Sequence, residues 1–348
     1  MIDAEILKNL VPLTTLTDEN LERLAKKLGL EEHAQGEIII NESDTDNDAV
    51  YLIEGGVELK SSSTTLTRVI HGGTEEAAYA LAQTRPRQFT ISATTPIKIL
   101  RIDNNRLDRV VILDELTTTI TSIQEGNDKP VAPEDTTWMR EMMNSELFEG
   151  VPNENLGPLA LNLLPLSVKT GEVVFRQGDE GDYYYVVREG RFNVSRKSDD
   201  GKVRMVAELH DGSVFGEEAL ITGETRSTSI IAMSDGVLMR LPKSEFKTLL
   251  ERPLIQPLGK DAAERMVKQG AKLCDVRTPT EFKARSLRGS INLPVITLRN
   301  KLSDLDNNAV YIVFCDTGVR SRVAAFLMSQ YGLTTHVLEG GLKKLAVS

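Results

Sequence analysis

The sequence predicts a multidomain chain: two jelly-roll-like β-rolls with flanking helices, followed by an α/β domain. Three observations predict it. The chain contains an internal duplication, each copy strings short β-branched runs between Gly, Asp and Asn turns, and after Arg252 the pattern switches to apolar strand runs alternating with helical periods. At 348 residues and 40% apolar composition the chain can supply two or three separate cores.

The duplication pairs Gly36 to Leu59, GEIIINESDTDNDAVYLIEGGVEL, without gaps with Gly171 to Val194, GEVVFRQGDEGDYYYVVREGRFNV. Gly36, Glu37, Asp44, Glu54 and Gly55 meet identical residues at Gly171, Glu172, Asp179, Glu189 and Gly190. After a loop four residues longer in the second copy, the alignment resumes at His71 with His210 and runs to Leu107 with Phe246. Ahead of the first strands, Thr17 is placed as an N-cap, and Leu21, Leu24 and Leu28 recur on one helical face. The segment Gln124 to Thr137, with two prolines, a glycine and charges, reads as a linker. The expected domains are therefore 1–124, a linker at 125–137, 138–252, and 253–348. Pro253 and Pro257 are expected to stop the helix that begins near Ser244. Thr278, Pro279 and Glu281 spell a capping box with proline at the first helical position.

Charge and composition exclude several classes. Asp and Glu outnumber Lys and Arg, 51 to 41, for a net charge of −10, and no basic cluster offers a nucleic-acid surface. No apolar run is long enough to span a membrane, and the N-terminus lacks a signal-peptide pattern. Two cysteines exclude a disulfide framework and suit a reducing compartment, so a cytoplasmic location is expected. The four histidines, His33, His71, His210 and His336, show no paired spacing, so neither a metal site nor a bound cofactor is expected.

In the second copy, FGEEALITGETRSTS (Phe215 to Ser229) assembles the parts of a small anion site. Gly216 allows close approach to the backbone, and Glu217 can accept hydrogen bonds from a sugar hydroxyl. Arg226 offers a forked, permanently charged donor for phosphate, with N–H groups near Ala219 and Ser227 completing a cradle. The plain alternative is a structural ion pair between Glu217 and Arg226. This string resembles the phosphate-binding cassette of cyclic nucleotide-binding domains, F-G-E-x-A-L followed by R-[AST]-[AST]. The resemblance covers Trp138 to Arg252, including G-D-E-G-D-Y-Y-Y and the R-E-G turn at Gly190. It implies that Glu217 binds the ribose 2′-hydroxyl and that Arg226, with Ser227, binds the cyclic phosphate of cAMP or cGMP. Thr225 departs from the proline common before the arginine.

The first copy reads as a degenerate version. Ala77 and Ala78 stand where the second copy has Gly216 and Glu217, Arg87 keeps the arginine position, and Phe89 replaces Thr228. This copy is expected not to bind nucleotide and to serve packing or dimerisation. The segment Asn105 to Ile123, with Leu107, Val110, Leu113, Leu116, Ile120 and Ile123 on one stripe, reads either as a subunit-contact helix of a homodimer or as an ordinary core-facing helix.

The third pattern carries a thiol. Cys315 begins C-D-T-G-V-R-S between an apolar run, Ala309 to Phe314, and a helical stretch, Val323 to Gln330. Loop N–H groups, the following helix and Arg320 are expected to favour thiolate, while Gly318 lets the backbone curl round the sulfur. A buried structural thiol is the alternative. Cys274, on a predicted strand, reads as core. Cys274 to Val295, the cysteine loop and Glu339 to Leu342 together resemble a rhodanese domain over roughly Leu254 to Ser348, with Cys315, Gly318 and Arg320 matching C-x-x-G-x-R. The resemblance implies a sulfurtransferase in which Cys315 takes sulfane sulfur from a small-molecule or protein donor as a persulfide and passes it to an acceptor. The six-residue loop from Cys315 to Arg320 suits sulfur better than phosphate. Departures fall at Arg285 to Gly289, where the family often has G-H-I-P-G, and at Leu345, near a frequent tryptophan. Asp275, Arg277 and Glu281 resemble the family's internal ion-pair set.

The expected function is a cyclic nucleotide-binding protein, with cAMP the favoured ligand, whose ligand moves the hinge near Pro253 and alters access to Cys315. The competing reading is a non-catalytic receptor in which the rhodanese domain docks a protein or senses redox state. A transcription factor is disfavoured, since nothing after Arg252 resembles a helix-turn-helix.

Overall fold

The computed structural model describes residues 2–63, 67–124, 133–198 and 200–345. The chain divides into two compact units, residues 1–131 and 132–348.

In the first unit, β1 (Leu30–His33), β2 (Ile38–Ile40), β3 (Asp48–Glu54), β4 (Gly56–Lys60), β5 (Thr67–His71), β6 (Thr90–Ala93) and β7 (Ile97–Asp103) build two antiparallel sheets, ordered β1-β7-β3 and β2-β6-β4-β5. The unbroken apolar run in β3 follows from burial on both faces. Ala49 and Tyr51 pack with Leu100, Ile102 and the N-terminal leucines, while Val50 and Leu52 pack with Ile97, Ile99 and the second sheet. The helix Asp18–Ala25 buries Leu21 and Leu24 as its period requires. Thr17 stands at its N-cap, but the hydroxyl donates to Asp114 Oδ1 at 2.9 Å and makes no cap bond. The helix Asn104–Gln124 turns Leu107 and Leu113 into the core, with Val110 against it, so this part is core-facing. The side chains of Ile120 and Ile123 lie outside the described residues.

The second unit repeats that plan. β8 (Leu164–Val168), β9 (Val173–Phe175), β10 (Tyr183–Glu189), β11 (Phe192–Lys197), β12 (Val203–Leu209), β13 (Val214–Phe215), β14 (Ser229–Ala232) and β15 (Gly236–Pro242) form sheets ordered β8-β15-β10-β13 and β9-β14-β11-β12. Each strand of the first roll has its equivalent at the same sheet position, and β3 and β10 share one burial pattern residue by residue. Where the second roll follows β13 with a helix, Glu217–Thr222, the first has a 3-10 turn, Glu76–Ala78.

Two expectations need correction. Residues 133–137, expected in a linker, open the helix Pro133–Met143. Pro253 does not stop the helix after β15. Helical backbone runs through Lys243–Glu245, a π-turn Phe246–Glu251, and Arg252–Leu254. The Arg252 N–H bonds to the Lys247 carbonyl in the wider register, Pro253 has no N–H to place, and Ile255 N–H returns to Glu251 at 3.0 Å, so the turn absorbs the proline.

The rest of the unit is a parallel sheet ordered β16-β20-β19-β17-β18, from β16 (Pro257–Leu258), β17 (Lys272–Asp275), β18 (Ile291–Asn292), β19 (Val310–Phe314) and β20 (Thr334–Leu338). Its central strand, β19, is VYIVF, four of its five residues buried, as a strand with both faces covered demands. The Cys315 loop leaves the carboxyl end of this strand, where ligands of α/β sheets bind. The capping box at Thr278 forms with both of its hydrogen bonds.

Candidate functional site

A cavity of about 520 Å3 opens beside β13 and brings together Gly216, Glu217, Ala219, Arg226 and Ser227. Gly216 has φ of +91°, and a Cβ there would lie 2.9 Å from Arg226 Nη1 and 3.1 Å from the Tyr183 carbonyl. The space that glycine leaves is thus occupied by the Arg226 guanidinium, a more specific use than ligand approach. Arg226 is 3% exposed, stacks 4.3 Å from the Phe175 ring centroid, and donates to the carbonyls of Gly216 and Tyr183, both at 2.7 Å, and to Asp182 Oδ1 at 3.1 Å. Its backbone is gripped by the G-D-E-G-D turn: Arg226 N–H donates to the Asp179 carbonyl at 2.7 Å, and Gly178 N–H to the Arg226 carbonyl at 2.9 Å.

Glu217 and Arg226 do not pair with each other. Glu217 Oε1 accepts from Arg299 Nη2 at 2.6 Å. Two buried polar atoms remain without a partner at this cavity, Glu217 Oε2 and Arg226 Nε. An acceptor and a cationic N–H, both buried, are thus left without a hydrogen-bond partner beside the cavity. Ser227 Oγ donates to Glu218 Oε2 at 2.6 Å, and Ala219 is buried beneath the cavity.

The equivalent place in the first roll is plugged from within. Arg87 N–H donates to the Asp44 carbonyl at 2.9 Å, and Ser43 N–H to the Arg87 carbonyl at 2.8 Å, reproducing the grip on Arg226. Its guanidinium is fully committed: Nε and Nη2 to the Asp46 carboxylate, Nη1 to the Ala82 carbonyl at 2.7 Å, and Nη2 also to the Asp48 carbonyl. Asp46 aligns with Gly181, so the first roll carries a carboxylate where the second has no side chain. That hydrogen-bonded guanidinium holds the Asp46 carboxyl well below its ordinary range, down to about 2.

In the α/β domain Cys315, expected to act as a nucleophile, is fully buried. The E-G-G-L turn closes over it. Leu342 N–H donates to the Cys315 carbonyl at 2.9 Å, and a Cβ on Gly341 would lie 2.2 Å from that oxygen. Cys315 Sγ accepts from Gly318 N–H at 3.2 Å and lies 3.6 Å from Ser321 Oγ, a buried hydroxyl whose role sequence reasoning missed. Arg320 donates its hydrogen bonds to carboxylates and none to the sulfur. It makes two bonds to Glu281, 2.9 and 2.8 Å, and one to Asp316 at 3.3 Å, and the Glu281 carboxyl is held far below its ordinary range by them. Asp316 also accepts from Arg277 at 3.0 Å, and Arg277 clamps Asp275 at 2.7 Å. The reason is local: a C-D-T-G-V-R loop places its own aspartate four residues before the arginine, facing it across the helix start. Cys274 lies in the core, its thiol pushed up to about 12 by burial.

The two sites share a packed seam. The helix Val319–Gln330 starts at the cysteine loop and packs on Glu217–Thr222. Phe326 sits 5.3 Å from Phe246 and 6.4 Å from Tyr184, centroid to centroid, and Gln330 Nε2 donates to the Tyr184 hydroxyl at 2.9 Å. Arg322 pairs with the buried Glu251. Tyr331, next after the helix, lines the cavity, as do Arg299 and Leu147. None of these three carries a local sequence signal, because Arg299 and Tyr331 reach the cavity from the α/β domain and Leu147 from a helix far from the cassette in sequence.

Comparison with known proteins defines the class. Residues 165–253 match the cyclic nucleotide-binding domain family, and residues 259–347 match the rhodanese-like domain family. The chain therefore contains a cyclic nucleotide-binding domain and a C-terminal rhodanese-like domain, and the first roll lies outside both matches. Among relatives, a cAMP-dependent protein kinase regulatory subunit of Dictyostelium discoideum is 27% identical over 223 residues, 62% of this chain and 63% of the relative. The type II regulatory subunit of Drosophila melanogaster is 26% identical over 254 residues, 71% of this chain and 61% of the relative. A lysophospholipase nte1 of Aspergillus terreus is 29% identical over 194 residues, 51% of this chain but 12% of that protein. The chain thus spans less than two thirds of the length of each. Among solved structures, the regulatory domain of Toxoplasma gondii PKA with cAMP aligns at 19% identity and a TM-score of 0.32, covering 76% of this chain and 95% of that one. The catabolite activator protein of Thermus thermophilus aligns at 30% identity and 0.29, over 31% of this chain and 51% of that one. Among the described residues no helix is long and apolar enough to cross a membrane, and no cluster of three or more His, Cys, Asp or Glu is arranged to hold a metal ion.

Proposed function

We propose that the protein is a cyclic nucleotide receptor, with cAMP as the favoured ligand, whose rhodanese-like domain transfers sulfane sulfur through Cys315. The observation that carries the receptor half is the pair of buried, unpartnered atoms at one cavity, Glu217 Oε2 and Arg226 Nε. Glu217 would receive the ribose hydroxyl, and Arg226, with Ser227 after it turns from Glu218, would receive the cyclic phosphate. The cavity size lies within the range of small-ligand sites. The first roll is a degenerate copy that binds no nucleotide, since Asp46 takes the Nε of its arginine, the donor that Arg226 leaves without a partner, and Ala78 stands in place of Glu217.

In the sulfur half, the Cys315 thiolate attacks the outer sulfur of thiosulfate. The S–S bond of the donor breaks, sulfite leaves with the electron pair, and Cys315 carries a persulfide. Cyanide then attacks the terminal sulfur, thiocyanate leaves, and the thiolate returns. No external oxidant is required. The Gly318 N–H that contacts Sγ would steady the anion, and the Asp316, Glu281 and Arg277 contacts hold Arg320 as the wall of the loop. Closure over Cys315 makes loop opening a condition of turnover, and nucleotide occupancy would set it through the shared helix.

A second reading has its own support in that closure: a receptor whose rhodanese-like domain docks a partner or senses redox state. Thiosulfate:cyanide transfer by the full chain, with Cys315→Ser as control, separates the two. Turnover and persulfide labelling that vanish in the variant support the enzyme, and no turnover with or without saturating cAMP supports the docking module.

A further inference from the structure

We propose that the nucleotide site is composite, with the rhodanese-like domain supplying two of its working parts: Arg299 to fix the carboxylate that receives the sugar, and Tyr331 to wall the base. The inference rests on the receptor reading and extends it to residues outside the nucleotide-binding roll.

Glu217 is 8% exposed at its side chain, and a buried carboxylate needs a partner of opposite charge. Arg226, ten residues on from Gly216, does not supply it, being committed to Asp182 and two carbonyls. Arg299 does, from the 3-10 segment Val295–Asp304 of the other domain, through one oxygen only, Oε1. Oε2 stays free and buried, so the arginine and a sugar hydroxyl occupy different oxygens and support each other. With Oε1 held, Oε2 has a fixed direction, and the sugar meets a preformed acceptor.

The base end follows from the remaining lining. Phosphate and sugar are accounted for by Arg226 and Glu217. Besides the His210 imidazole, three Phe or Tyr rings line the cavity, and two of them, Phe175 and Phe215, are 8% and 6% exposed and belong to the roll's core. Tyr331 is 39% exposed and offers a flat face that a nucleobase can cover. It follows directly on the helix Val319–Gln330, whose other end is the Cys315 loop, so a ligand that touches Tyr331 and tightens the Arg299 pair stabilises one placement of that helix. By reciprocity, whatever alters the placement of the helix alters nucleotide affinity.

Calorimetric titration of the full chain with cAMP and with 2′-deoxy-cAMP tests this. In the wild type, loss of a hydroxyl bonded to a charged acceptor weakens binding by about tenfold or more. Arg299→Gln is expected to weaken cAMP by about tenfold while shifting 2′-deoxy-cAMP far less, so the gap between the ligands collapses. Arg299→Lys should fall between, retaining charge without the guanidinium geometry. Tyr331→Ala should weaken both ligands alike, and Tyr331→Phe should restore them. An undiminished gap in Arg299→Gln, or equal weakening of both ligands, overturns the role of Arg299. Unchanged affinity in Tyr331→Ala overturns the base wall. Wild-type chain that binds neither ligand overturns the receptor reading itself, and this proposal with it.

Discussion

Replacing Tyr184 by Phe removes one oxygen from the seam between the roll and the rhodanese-like domain. Tyr184 is fully buried, and its hydroxyl accepts from Gln330 Nε2 at 2.9 Å; Gln330 is 2% exposed and its Oε1 already has no partner. The variant leaves the whole Gln330 amide buried and unsatisfied, which costs about 2 kcal/mol, within the usual 1–3 range. For a unit of this size that is a fall in melting temperature of roughly 4–8 °C. Gln330→Met alone should cost a similar amount by stranding the hydroxyl. The double variant removes both polar groups and keeps the volume, so it should recover most of the loss and cost only about 1 kcal/mol, a coupling of about 3 kcal/mol. Urea unfolding followed by circular dichroism measures all three. Additive losses in the double variant would refute the claim that this hydrogen bond ties the two domains together.

Gly341→Ala should abolish sulfur transfer, because the new methyl would meet the Cys315 carbonyl at 2.2 Å, while nucleotide still binds with an affinity shifted through the shared helix; thiocyanate production and calorimetry read the two effects separately. Asp46→Asn should destabilise the first roll selectively in acid-titration circular dichroism. The folded Asp46 carboxyl sits at about 2, below the unfolded value, so its contribution is present above pH ~4 and is lost as pH falls toward about 2. The variant should lose that acid-sensitive component. Iodoacetamide mapped by mass spectrometry should label Cys315 at a different rate when cAMP is bound and leave Cys274, whose thiol is pushed up to about 12, unlabelled. Equal labelling of Cys315 with and without nucleotide would contradict control of access by the ligand.

The repeat made the architecture legible, because a strand buried on both faces must be apolar along its centre, and Ala49 to Ile53 and Tyr183 to Val187 both are. The cassette residues were legible for the same local reason: glycine, carboxylate and arginine lie within eleven residues, Gly216 to Arg226, and one turn and one short helix bring them together. What the sequence concealed depends on distance along the chain. Arg299 reaches Glu217 across 82 residues, and Tyr331 enters the cavity only because Phe326, Phe246 and Tyr184 stack to seat its helix. Asp316 was visible in the string beside Arg320, but its consequence was not. Asp316 and Glu281 take the hydrogen bonds of Arg320, so its N–H groups do not reach the sulfur. Pro253 misled for a related reason, since the π-turn before it is a tertiary adjustment.

The most direct measurement is a calorimetric titration of the full chain with cAMP, repeated on Glu217→Ala and Arg226→Lys. The account predicts one mole bound per chain, with binding lost or severely weakened in both variants and unchanged in Arg87→Lys. Two moles per chain, no heat at millimolar ligand, or equal affinity in Glu217→Ala would contradict it.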